Sequence, residues 1–423
     1  MSYRPRVDDR LLDDLFPDLA AIALEGAKGV GKTATALQRA ATVISLDVPA
    51  QREIVAADLD YVARVDPPAF IDEWQLYPAV WDRVRRAVDA DPRGGQFLLA
   101  GSAGVAPEAR IHSGAGRIVS LAMRPLSFAE RAIVEPTVSL SGLVAGSRPT
   151  IGGRSDVGLS GYVDEILASG FPGIRDLPER ARNIQLDSYI TRIVERDLPE
   201  NGFNVRRPAA VRAWLAAYAA ATATDAAYTK ILDAATAGVV DKPSRVTADN
   251  YREHLRRIFV LDPVEAWVPM FNPLKRLTQS PKHHLVDPAL AARLVGVGKT
   301  GLLQGAGDRV AASTGTWLGA LFESLVAQSI RVYAAAASAR VGHLRTKQTD
   351  REIDLIVEGE DRRVVAIEIK LSQTVEDKDV RHLNWLHEQI SDRVADRVII
   401  TTGEHAFRRP DGVAVVPLAL LGP

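Results

Sequence analysis

The run Gly26-Ala27-Lys28-Gly29-Val30-Gly31-Lys32-Thr33 sets its glycines, lysine and threonine at the spacing G-x-x-x-x-G-K-[ST]. Such a loop turns tightly, and its backbone N–H groups converge on phosphate oxygens. Lys32 reaches the terminal phosphates and the Thr33 hydroxyl holds Mg²⁺. The run, with Ala34 behind it, is a phosphate-binding P-loop that predicts ATP and Mg²⁺ as ligands. Further on, Phe70-Ile71-Asp72-Glu73 is a short apolar segment ending in two acids. After a P-loop, Asp72 would hold the Mg²⁺ through water and Glu73 would polarise the attacking water. Ser102 reads either as a polar sensor facing the γ-phosphate or as a turn serine. Arg117 reads either as a phosphate ligand or as a surface cation.

A second constellation lies near the C-terminus. Glu352-Ile353-Asp354-Leu355-Ile356-Val357 and Val364-Val365-Ala366-Ile367-Glu368-Ile369-Lys370 are apolar strands interrupted by charge. Glu368 and Lys370 are two apart, so they share one face of a strand. The turn at 358–361 can bring Asp354 opposite Glu368. Carboxylates and a lysine on one face of an apolar sheet are costly to bury unless they act together. Two readings stand: a metal-binding catalytic set, or an internal ion pair of Lys370 with Asp354 or Glu368.

These residues need elements to hold them. Ala21-Ile22-Ala23-Leu24 reads as a buried strand before the P-loop, and Thr33 to about Val43 as the helix after it. The positive end of that helix would face the phosphates. Residues 42–47, 96–102 and 118–121 read as further buried strands. Residues 135–160, rich in Ser, Gly and Thr, read as a linker or mobile loop. Helices are expected over about 161–198, 211–222 and 228–237, with a third module helix capped by Thr247. Trp214, Leu215 and Tyr218 share one side, and Tyr251, Leu255, Ile258 and Phe259 another. Val260-Leu261 and Ala266-Trp267-Val268 would form a hairpin, which makes the module winged-helix-like. Its third helix offers Arg252, Arg256 and Arg257 to DNA phosphates. Against this stands a packing module with solvated arginines, since Asp249 and Glu253 share the helix.

Taken in order, Leu24-Glu25-Gly26 to Thr33, Ser45-Leu46-Asp47, Ile71-Asp72-Glu73-Trp74-Gln75, Leu99-Ala100-Gly101-Ser102, Gly116-Arg117 and Arg124-Pro125-Leu126-Ser127-Phe128-Ala129-Glu130 resemble the prokaryotic AAA-type ATPases that carry a C-terminal nuclease-like domain of unknown function. The resemblance implies an α/β P-loop NTPase core, a parallel sheet with helices on both faces. Asp354 with Glu368-x-Lys370 resembles the core of PD-(D/E)xK nucleases. That resemblance implies carboxylates Asp354 and Glu368 holding one or two Mg²⁺ or Mn²⁺ ions, and Lys370 activating water. It further implies Glu323, on an apolar helix, as an added acid, and His343-Leu344-Arg345-Thr346 matches the same pattern. Arg192 and Arg196 are the candidates for an arginine finger.

The chain of 423 residues is long enough for several domains. The expected divisions are an ATPase core at 1–134, a linker or lid with a helical segment at 135–204, a winged-helix-like module at 205–290 and an α/β PD-(D/E)xK-like domain at 291–423. There is no cysteine, so disulfides and thiolate metal sites are excluded. Arg outnumbers Lys and Ala is abundant, a composition of GC-rich bacterial genomes. No apolar run approaches the roughly 20 residues of a membrane span, and no signal peptide is read, so a cytoplasmic location is expected. The net charge of −1 gives no global attraction to nucleic acid but leaves room for a local basic groove. His283-His284 read as a surface loop. Val295 to Gly301 echoes a P-loop but lacks the leading glycine. The expected activity is Mg²⁺-dependent ATP hydrolysis in DNA handling, as an ATP-regulated nuclease. The alternatives are a nucleotide-dependent switch with an inactive DNA- or protein-binding domain, and a DNA-binding regulator with slow ATP turnover.

Overall fold

Apolar segments too short for helices build the first sheet. The computed structural model describes residues 3–102, 114–238, 243–268, 280–304, 309–310, 315–346 and 351–423. Its first five strands are β1 (Ala21–Glu25), β2 (Thr42–Ser45), β3 (Ala69–Asp72), β4 (Phe97–Gly101) and β5 (Ile118–Ala122). They are all parallel, in the order β2-β3-β4-β1-β5, so β4 lies between the P-loop strand and the acidic strand. Alternate side chains take opposite faces. Ile22, Leu24, Phe70 and Leu98 pack with Leu12 of helix α1 (Val7–Leu15). Ala21, Ala23, Ile71 and Leu99 pack on the other face with Val80, Trp81 and Val84 of the helix Ala79–Ala90. Burial on both faces explains why these strands read as unbroken apolar runs.

Parallel register makes the strands end together. Glu25 pairs with Gly101, and Asp72 with both Ala100 and Ser45. The P-loop, the two acids and Ser102 therefore emerge at one sheet edge. Helix α2 (Lys32–Leu37) is shorter than the expected span, because the chain must turn back to start β2 at Thr42. At six residues its dipole is small, which leaves most of the phosphate-facing polarity to the loop amides.

Residues 135–160 are not a free linker. Val138-Ser139 pairs with Leu421-Gly422, Ser155 N–H donates to Glu404 O at 2.8 Å, and Ala406 N–H donates to Gly153 O at 3.0 Å. Leu140, Leu143 and Val144 are buried with Leu418 and Leu420. The segment is a strap on the C-terminal domain. Its few large apolar residues fall on buried positions, which a Ser- and Gly-rich composition conceals.

The middle helices include Leu159–Ala168, Glu179–Arg192, Pro208–Ala220, Tyr228–Ala235 and Arg245–Arg257. Trp214, Leu215, Tyr218, Tyr251 and Leu255 are buried, as helical spacing requires. The expected hairpin differs. Leu261 bridges Leu285 and Val264 bridges Lys282, while Ala266 bridges His343 of the C-terminal sheet. The two arms thus pair with distant segments, not with each other. The same pairing overturns the surface-loop reading of His283-His284, since both are buried. His284 O accepts from Asp262 N on one side, and His283 bonds through its backbone to Ala223 and Thr224 on the other, which leaves neither side chain a solvent face.

The C-terminal sheet is mixed and six-stranded. Its spatial order is Phe407–Arg408, Ala414–Pro417, Val394–Thr401, Val364–Ile369, Glu352–Glu358, Arg340–Arg345. The long helix Gly315–Ala336 covers one face through Leu321, Phe322 and Leu325. The helix Asp377–Ile390 covers the other through Val380, Leu383 and Leu386.

Candidate functional site

The P-loop strings three left-handed glycines, Gly26, Gly29 and Gly31, between β1 and α2. At Gly26 a Cβ would lie 2.2 Å from the Met123 carbonyl, so only glycine permits this approach. Lys32 is buried, and its Nζ donates to Gly26 O at 2.7 Å and Ala27 O at 2.9 Å. Burial pushes its pKa down to about 8, although Glu73 and Asp72 pull it up. Thr33 Oγ1 donates to Asp72 Oδ2 at 2.9 Å, which joins the hydroxyl and the acid expected at the metal. Burial raises the Asp72 pKa, against the Thr33 bond that lowers it.

Glu73 follows in a left-handed conformation, φ 51°, rare for a residue with a Cβ. That turn starts the 3₁₀ segment Trp74–Leu76 and seats Trp74 against Trp81, ring centroids 4.5 Å apart. Ser102 Oγ donates to Glu73 Oε2 at 3.1 Å, and Gln75 Nε2 donates to the same oxygen. Ser102 thus touches the acid directly. Gln75 was not singled out as a partner, and only its position two residues beyond Glu73 hints at one.

The outer rim of the loop is tied to the middle helices. Lys28 Nζ donates to Asp197 at 2.6 Å and to Glu200 at 3.4 Å, and the Tyr189 hydroxyl donates to Lys28 O at 3.0 Å. Burial opposes the Lys28 charge, yet its pKa is raised, because the Asp197 bond and the charges of Asp197, Glu200 and Glu73 together outweigh it. Arg196 pairs with Glu200 at 3.4 Å on the same turn.

Sequence reading missed the N-terminal support. Arg6 donates to Glu130 Oε1 at 3.0 Å, Val30 O at 2.7 Å and Arg124 O at 2.7 Å. Glu130 also accepts from Val7 N, Ser127 N and Ser127 Oγ, each at 2.7 Å. The P-loop is therefore braced by a buried ion pair from outside the motif. The acid in Pro125-Leu126-Ser127-Phe128-Ala129-Glu130 was the only available signal. Beside this brace lies a cavity of about 370 Å³, lined by Tyr3, Arg4, Thr35, Gln38, Pro172 and Asp176 among others.

Arg117 is not at the site. It precedes β5, at the edge where the strands begin, and donates to Asp89 at 2.7 Å. Parallel pairing of Ile118 with Ala21 puts a whole strand between it and the loop. The arginines of the third middle helix are engaged internally. Arg252 pairs with Asp249 and lies over the Tyr228 ring, Arg256 pairs with Glu265, and Arg257 donates to Asn201 O. In the P-loop echo, Lys299 pairs with Asp164 in a four-residue helix.

The C-terminal carboxylates do converge. A register shift in the sheet falls between Ile353 and Ile356, at Asp354. Asp354 Oδ2 accepts from Ile369 N at 2.9 Å, and Lys370 Nζ donates to Glu368 Oε1 at 2.8 Å. Glu323 faces the same cluster from the long helix. Its burial, with Asp354 beside it, raises its pKa to about 8, and burial with Asp354 does the same to Glu368. At the centre stands a residue not anticipated, Lys282. Its Nζ donates to Glu323 Oε1 at 2.9 Å and Asp354 Oδ1 at 2.8 Å, and pairs with Glu352 Oε1 at 2.9 Å. Among the described residues, no group of three or more His, Asp or Glu is arranged to hold a metal. Lys282 gives no signal in sequence, because it lies in a separate segment from the acids it meets.

Three family models match in chain order: an AAA domain over residues 19–132, a domain of unknown function (DUF8612) over 160–301, and a domain of unknown function (DUF4143) over 318–421. With the five-stranded parallel sheet and the P-loop at its edge, the first defines an AAA-type P-loop ATPase core. Uncharacterized proteins of Mycobacterium tuberculosis and Mycobacterium bovis are each 30% identical over 353 residues, which is 82% of this chain and 67% of theirs. The chain belongs to the same family as these two mycobacterial proteins. Among solved structures, the Thermotoga maritima RuvB Holliday junction branch migration motor is 17% identical, covering 61% of this chain and 89% of that one, with a TM-score of 0.26. The Aeropyrum pernix Orc1 protein in complex with DNA is 14% identical, covering 70% and 93%, also with a TM-score of 0.26. Neither score is high enough to bear on fold or function.

Proposed function

We propose that this protein binds ATP with Mg²⁺ at Gly26–Thr33 and Asp72, and hydrolyses it with Glu73 as general base. The observation that carries this is the meeting of Lys32, Thr33, Asp72 and Glu73 at one sheet edge, with Thr33 bonded to Asp72. The residues fit the ligands: Gly26, Gly29 and Gly31 give the loop three positive-φ positions that carry no Cβ, and a threonine hydroxyl beside a carboxylate is an oxygen set suited to Mg²⁺. Bound Mg²⁺ would neutralise charge on the phosphates. Ser102 and Gln75 orient the Glu73 carboxylate, and the cavity beside Tyr3 and Gln38 would take the nucleoside. The test is turnover of ATP in Mg²⁺. Lys32→Ala should abolish binding and turnover, and normal hydrolysis by that variant would remove the assignment.

The C-terminal domain is read as PD-(D/E)xK-like and as DNA-facing, on the gathering of Glu323, Asp354, Glu368 and Lys370 in one sheet. The protein then acts as an ATP-regulated nuclease. The second reading, a nucleotide-dependent switch with a non-cleaving binding domain, is favoured by Lys282 among the acids. Single-stranded, duplex and branched DNA incubated with Mg²⁺ or Mn²⁺ separates the two. Cleavage lost on Asp354→Ala supports the nuclease, and no cleavage of any substrate supports the switch.

A further inference from the structure

We infer that Lys282 is a built-in cation plug: its ammonium occupies the cation position of the C-terminal carboxylate cluster and bars a divalent metal from it. This inference rests on the reading of that cluster as a metal-binding site. An ammonium has three N–H donors. Here two of them donate to Glu323 and Asp354 at 2.9 and 2.8 Å, and a third carboxylate oxygen, on Glu352, is ion-paired at 2.9 Å. A hard divalent ion would take the same oxygens at roughly 2.0–2.6 Å. The two cations cannot share that space.

Burial and tethering make the plug more than a surface contact. The Lys282 side chain is 2% exposed. Its backbone exchanges both ladder bonds with Val264, at 2.9 and 3.0 Å, and His283 N–H donates to Thr224 O at 2.9 Å. Rotation of the side chain alone would leave its charge among buried groups, so removing it requires the bridged segment 282–285 to shift. The lysine lies in the segment matched at 160–301, whereas Glu323, Asp354 and Glu368 lie in the segment matched at 318–421. One part of the chain therefore closes a site belonging to another. The cluster also retains acceptor capacity toward a cation. Glu368 is 8% exposed and, among the described residues, its Oε2 accepts from no donor.

The test is Mn²⁺ binding by the nucleotide-free full chain, followed by electron paramagnetic resonance. An Asp72→Asn background removes the acid of the nucleotide site. The plugged chain should leave Mn²⁺ free in solution. Lys282→Met should bind one Mn²⁺ at least about a hundredfold tighter, as expected when a buried competing cation is gone. Added Asp354→Asn should abolish that binding, and Lys282→Arg should stay metal-free. A chain with Lys282 intact that binds Mn²⁺ at a site lost on Asp354→Asn overturns the plug without any lysine variant. So does a Lys282→Met chain that is folded by circular dichroism and gains no Mn²⁺. A Lys282→Met chain that binds Mn²⁺ yet cuts no DNA keeps the plug and removes the nuclease reading instead.

Discussion

At the residue scale, the proposed nucleotide site separates the positions assigned to binding from the position assigned to reaction. Lys32 and Thr33 are fixed by the loop, whereas Glu73 is held by a strained turn and two side-chain donors. A left-handed non-glycine residue costs of order 1–3 kcal/mol and persists only where its surroundings impose it. Here the tilted Trp74–Trp81 ring pair does so. Glu73→Gln keeps the shape and loses the base. It should bind ATP as the parent does and turn it over about 10²-fold more slowly, read by nucleotide titration alongside a phosphate-release assay. Equal rates would exclude Glu73 as the base. The P-loop and the Asp72-Glu73 pair were legible because each motif is contiguous. Gln75, Arg6 and Lys282 were not, because their roles depend on what the fold brings beside them.

At the scale of elements, helix α1 and the segment 124–131 form a brace behind the loop. The Arg6 and Glu130 side chains are 2% and 3% exposed. Removing one partner leaves a buried charge, so Glu130→Ala should cost about 3–5 kcal/mol in urea unfolding. A loss below about 1 kcal/mol would show that water or another group replaces it. The bridged segment 282–285 has a different vulnerability. Burial, with Lys282 and Arg331 nearby, pushes the His284 pKa down to about 3, although Asp262 pulls the other way. The unfolded value is near 6.5. A depressed folded pKa means the unfolded chain takes up the proton first. Its contribution is complete above about pH 6.5 and is lost as pH falls toward 3. The melting temperature should drop across that window, and less steeply in His284→Leu. The hairpin expected at 260–268 was misread for a related reason. Local alternation marks extended chain but does not choose its partner, and here the partners of the two arms, Leu285 and His343, lie far along the chain from Leu261 and Ala266.

At the scale of the whole molecule, the middle helices touch both chemical centres. Asp197 and Glu200 hold Lys28 at the P-loop, and the segment bearing Lys282 reaches the C-terminal acids. The long helix Gly315–Ala336 adds a second link. Its Ser329 and Tyr333 side chains bond to the backbone of Phe128 and Ala129, and it also carries Glu323. If the C-terminal cluster is neutralised by Lys282, no metal supports the fold there. A chelator should then stop ATP turnover while leaving the melting temperature of the nucleotide-free chain within about 2 °C of its starting value, since only a ligand bound to the folded state shifts that equilibrium. A larger fall would point to a structural metal.

The sequence by itself determined the loop, the acids and the alternating apolar strands, because each is written in neighbouring residues with a fixed period. Only the tertiary structure decided that Arg117 faces the wrong edge, that 135–160 is a strap and that His283 and His284 are buried. It also decided that a lysine from one segment pairs with acids from another. Those outcomes follow from strand order and from pairing across long stretches of chain, and local spacing does not encode either.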